Sequence, residues 1–123
     1  MATFSDDKIK TVWQNATTVE DTDPNKYRQD VCGAWMAWDN YGKQSPLGWE
    51  IDHILPVAKG GTDHTDNLRA LQWENNKSKA DDFPTYKSAV TAEDLKNVSS
   101  VKQFTVHETT IRQLKKIYPT LVK

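Results

Sequence analysis

A chain of 123 residues carrying a formal net charge of −1, 37% apolar and 27% charged, has the length of one ordinary domain and the balance of a soluble globular one. No apolar run approaches the ~20 residues that span a bilayer. The N-terminus MATFSDDKIK lacks the basic start and apolar stretch of a secretion signal, so a cytoplasmic protein is expected. The single cysteine, Cys32, excludes an internal disulfide and the paired thiolates of a structural zinc site; it is expected to be a small buried apolar residue. The charge is unevenly placed. Residues 1–82 hold nine Lys and Arg against fourteen Asp and Glu, whereas residues 83–123 hold seven against three. Charge alone does not point to a nucleic-acid partner.

Ser5 is the expected N-cap of a first helix, with Asp6 and Asp7 in its first turn and Ile9, Val12, Trp13 and Ala16 at helical spacing. Asp23-Pro24 is expected to open a second short helix. VCGAWMAW (31–38) reads as a strand, and DNYGKQSPLG as the turn-rich segment that brings the chain around. WEIDHILP reads as a strand ending at Pro56, VAKGGTDHTD as a loop with backbone freedom at Gly60-Gly61, and NLRALQW as a second strand. ENNKSKADD then reads as a helix stopping before Pro84. TAEDLKNV suggests a short helix. TVHETTIRQLKKIYP suggests a longer one, with Thr105 and Glu108 at capping-box spacing and Ile111, Leu114 and Tyr118 as its apolar stripe.

Four residues in the centre carry chemistry. Thirteen residues separate His53 from Asn67 and eight separate Asn67 from Asn76, with Asp52 directly before the histidine. An imidazole titrating near pH ~6.5 can take a proton from water at cellular pH. Asp52 and Asn76 offer hard oxygen ligands suited to Mg²⁺ or Mn²⁺. Asp52 and His53, adjacent in a strand, point to opposite faces and can diverge around a phosphate. Lys79, one helical turn after Asn76, is a candidate for a substrate phosphate, as are Arg69 and Lys77. Asn75 rivals Asn76.

The stretch WEIDHILPVAKGGTDHTDNLRALQWENNKSKAD resembles the HNH endonuclease motif in its His-Asn-Asn form. It is similar to the HNH domain of RNA-guided CRISPR nucleases and to many small phage and bacterial HNH proteins. The resemblance is strong over residues 49–82. It implies a ββα-metal hairpin-helix within an α+β domain, flanked by a bracing segment 1–48 and a basic helical part 83–123. It also implies hydrolysis of DNA phosphodiesters with one divalent cation, and favours Asn76 over Asn75 through the Asn-x-x-Lys-x-Asp register. Asn67, by the same resemblance, ties the loop down while its backbone carbonyl orients His53. Many HNH proteins brace the motif with a zinc held by two cysteine pairs; none exists here, so packing from the Trp-rich N-terminal segment and the C-terminal helices is expected instead.

The remaining candidates read as structural. His64 is expected in a solvated loop and His107 near a helix start. Trp13, Trp35, Trp38, Trp49 and Trp73 are expected mostly in the core, and Lys115-Lys116 on a solvated helix face. The leading reading is a metal-dependent DNA endonuclease with His53 as general base, acting alone, as a homodimer or with a protein partner. A catalytically silent DNA-binding or accessory subunit of a packaging or restriction complex is the alternative, and a nuclease toxin ranks last.

Overall fold

The computed structural model describes residues 3–123. Its first element is α1 (Asp6–Gln14), capped by Ser5, whose hydroxyl accepts from the Lys8 amide. Val12 and Trp13 are its buried residues. The helix expected at Asp23-Pro24 is only a turn, in which the Asp23 carboxylate accepts from the Asn25 amide. Such a side-chain bond offers the backbone an alternative to helix. The chain then enters β1 (Tyr27–Gln29), which pairs antiparallel with β2 (Trp35–Ala37). The strand expected over 31–38 is thus confined to its second half, because residues 31–33 turn the chain and Gly33 adopts φ 85°.

The centre of the molecule is β3 (Trp49–His53), β4 (Leu68–Gln72) and α2 (Trp73–Lys79). The strands pair antiparallel, with Asp52 opposite Arg69 and His53 opposite Leu68. Alternation along β3 separates two faces. Trp49 and Ile51 pack with Leu68, Ala70, Val12, Trp13 and Met36 in one core cluster. Glu50 and Asp52 point the other way, where they meet α2 at Asn76 and Lys79. The architecture is mixed α+β, a ββα unit among small antiparallel sheets.

Trp49 anchors the apolar side. It is fully buried, with its ring 4.8 Å from Tyr41, 5.2 Å from Trp13 and 6.1 Å from Trp38. Trp13 and Trp35 are buried as well, as expected of large apolar side chains in a small core.

The second anchor is Asp30, a buried carboxylate that accepts four hydrogen bonds. Oδ1 takes the amides of Cys32 and Ala34, both at 2.9 Å; Oδ2 takes the Gln72 amide at 2.9 Å and Asn75 Nδ2 at 3.0 Å. It ties the loop before β2 to the junction of β4 and α2. Burial pushes its carboxyl above the ordinary 3.8, against the pull of these four donors. Cys32 lies beside it, and burial pushes that thiol up to about 12, so it stays protonated and apolar in character.

Beyond α2 the chain forms β5 (Thr85–Lys87), β6 (Val90–Glu93), β7 (Lys96–Ser99), β8 (Gln103–Thr105) and α3 (Glu108–Ile117). The segment TAEDLKNV is therefore a hairpin, not a helix. Asp94 takes φ 55° in its two-residue turn, and Asn97 grips Trp35 by accepting from its amide and donating to its carbonyl. Tertiary partners overrule local propensity here. β8 runs through Thr105, so the cap of α3 is His107, whose Nδ1 accepts from the Thr109 amide. Leu114 and Tyr118 join Ile54, Leu55 and Tyr86 in the second core cluster. The bracing on this side comes from two hairpin-like sheets as well as a helix. Among the described residues no helix is long and apolar enough to cross a membrane.

Candidate active site

His53 ends β3, where the apolar face of the strand runs out into a cleft of about 230 Å³ lined by Phe4, Tyr41, Gly42, Glu50, Ile51, His53 and Asn76. The Phe4 ring lies 6.0 Å from the imidazole. In the same lining Glu50 Oε1 accepts from Asn76 Nδ2 at 3.0 Å. An imidazole and two oxygen-bearing side chains thus share one opening beside β3.

The loop after His53 is built by close backbone approaches. A Cβ on Gly61 would lie 1.7 Å from the Leu55 carbonyl oxygen, so no side chain fits there. Gly60 adopts φ 98°, which only glycine reaches without strain. Asn67, fully buried, clasps the two ends of this loop. Its Oδ1 accepts from the Leu55 amide at 2.7 Å, and its Nδ2 donates to the carbonyls of Leu55 and Thr62, both at 3.0 Å. Its backbone carbonyl accepts from the Ile54 amide, not from the histidine ring. The ring is met instead by Asp63, whose Oδ1 stands 2.7 Å from His53 Nε2.

Residues 39–82 match the family model of the HNH endonucleases. The match spans 44 of the chain's 123 residues, and over that segment the chain is similar to the HNH endonucleases. No curated protein and no solved structure matches it significantly. The matched segment contains β3, the loop, β4 and α2, the elements that position His53, Asn67 and Asn76.

Within this segment the two asparagines of α2 have separate surroundings. Asn75 is buried, donating to Asp30 and to the Val90 carbonyl and accepting from the amides of Ala89 and Val90. All its hydrogen-bonding capacity goes into the scaffold. Asn76 is half-buried and faces the cleft.

Asp52 lies on the same strand face as Glu50 but is buried against two cations. Arg69 Nε sits 3.0 Å from its Oδ2 and Lys79 Nζ 3.2 Å from its Oδ1. Lys79, expected to meet a phosphate, is turned inward and fully buried; its ammonium also donates to the His53 carbonyl. Burial lowers its pKa, and Asp52 opposes that shift. Arg69 stacks over the Tyr86 ring at 5.0 Å and lines a different cleft. Lys77 is exposed on α2. His64 and His107 are exposed N-caps of short helical segments.

Among the described residues no group of three or more His, Cys, Asp or Glu is placed to hold a metal by itself. The donor set nonetheless suits a hard divalent cation once the amide is counted. Half a turn of the Asn76 amide presents its oxygen where its nitrogen now meets Glu50, and an amide with a carboxylate is oxygen ligation of the Mg²⁺ type. Glu50 lines this cleft although the motif does not single it out. Its signal is its place two residues before Asp52, on the same face of the strand.

Proposed function

We propose that this protein is a metal-dependent endonuclease that hydrolyses phosphodiester bonds of DNA, with His53 as general base. The observation that carries this reading is the shared cleft of His53, Glu50 and Asn76 at the edge of β3. Mg²⁺ or Mn²⁺ would be held by Asn76 and by the carboxylates of the strand face behind it, Asp52 with Glu50 beside it. When bound, such an ion neutralises charge building on the phosphate and on the departing 3′ oxygen. Asp52 would hold the ion with Oδ1, the oxygen that now faces Lys79. His53 takes the proton of a water whose oxygen forms the new bond to phosphorus while the bond to the 3′ oxygen breaks. Asn67 keeps the loop, and with it the histidine, in place. Lys77, exposed on the helix that carries Asn76, is available to the DNA backbone.

Supercoiled plasmid incubated with the pure protein tests the proposal. Nicking with Mg²⁺ or Mn²⁺ is expected, abolished by chelator and by His53→Ala. Equal DNA binding by both proteins with cleavage by neither would favour an accessory module of a larger nucleic-acid complex.

A further inference from the structure

The ring nitrogen that could serve as base is decided by what holds the other one. His53 Nε2 and Asp63 Oδ1 are 2.7 Å apart. A carboxylate only accepts, so a neutral imidazole in this contact carries its proton on Nε2 and its lone pair on Nδ1. Asp63 is itself held. Asn67 bonds the carbonyl of Thr62, the residue before it, and Lys8 Nζ donates to the Asp63 carbonyl at 2.7 Å. The chain of contacts runs from a fully buried amide, through the loop, to a side chain aimed at the base.

We propose that Asp63 is the positioning residue of this site: its carboxylate fixes the Nε2-protonated tautomer of His53 and presents Nδ1 to the attacking water. This rests on the nuclease reading for its consequence, but the tautomer itself does not. The loop supplies the orienting acceptor through a side chain, so the acceptor can be removed without touching the backbone. The Asp63 side chain is 59% exposed, so its replacement leaves the core packing unchanged.

The test uses the full chain with Asp63→Ala and Asp63→Asn. Nitrogen chemical shifts of His53, recorded where the ring is neutral, report which nitrogen is protonated. The wild type is expected to show the Nε2-protonated form almost alone. Asp63→Ala is expected to mix both tautomers and to cut single-turnover cleavage at saturating DNA by about tenfold or more, a usual loss when an orienting partner is removed. Mn²⁺ affinity, measured by titration, should stay unchanged. Asp63→Asn, which keeps an acceptor oxygen, should restore most of both signals. An unchanged tautomer in Asp63→Ala would overturn the proposal whatever happens to the rate. An absence of cleavage by the wild type, with the tautomer shift intact, would sink the nuclease reading and leave the positioning contact standing.

Discussion

The two faces of β3 are made of neighbouring residues and obey different rules. One face, Trp49 and Ile51, is apolar and locked into the aromatic cluster under α1. The other, Glu50 and Asp52, is charged and answered by Asn76, Lys79 and Arg69. His53 comes last on the apolar face, at the point where that face opens to the cleft. A strand with period-two alternation can therefore hold a rigid anchor and a charged site within five residues. The apolar face determines how firmly the strand sits; the charged face determines what its edge can bind.

Substitutions can break or sharpen that division. Trp49→Ala should have the largest effect, a loss of about 3–5 kcal/mol in denaturant unfolding, as for a large aromatic truncated in a core. Asp30→Asn should follow with about 2–3 kcal/mol at neutral pH, because an amide turns an N–H toward donors that now face an acceptor. It should also change the pH profile of stability. The folded carboxyl titrates above 3.8, so between that value and its raised one the folded protein keeps a proton the unfolded chain has released. Stability of the wild type thus falls as pH climbs through that window, and the variant should lose this slope.

Lys79→Met comes next, at about 1–3 kcal/mol, less than for a buried charge left alone because Arg69 still pairs with Asp52. Mn²⁺ binding should tighten in this variant if Asp52 is a ligand, since its Oδ1 is then free. The smallest change in stability, within about 0.5 kcal/mol, is expected for Glu50→Gln. Its effect should appear in titration with Mn²⁺ as an affinity about tenfold weaker. A Glu50→Gln protein that unfolds readily, or a Trp49→Ala protein as stable as the wild type, would erase the contrast between the faces.

The parts of this arrangement legible in the sequence are those set by local spacing. The alternation of WEIDH, the Gly-Gly loop, the cap at Ser5 and the stripe of Ile111, Leu114 and Tyr118 all depend on neighbours within a few positions. What escaped was decided at a distance. TAEDLKNV has helical composition, yet Asn97 is held by Trp35, 62 residues away. Asn75 and Asn76 differ in sequence by nothing but register; Asp30, 45 residues from Asn75, separates their surroundings. Lysine is seldom fully buried, and Lys79 is so only because Asp52 awaits it across the unit. Asp63 was hidden by its setting among polar loop residues, where nothing local marks one acid over another.

The four hydrogen bonds converging on Asp30 have one consequence for where such a domain can work. The junction of strand and helix is fastened by ordinary amides and a carboxylate, with the neighbouring thiol buried and protonated. A fastening of that kind uses no thiolate and offers oxidants no pair of thiols to join. A shift in redox poise should leave this hairpin and helix assembled.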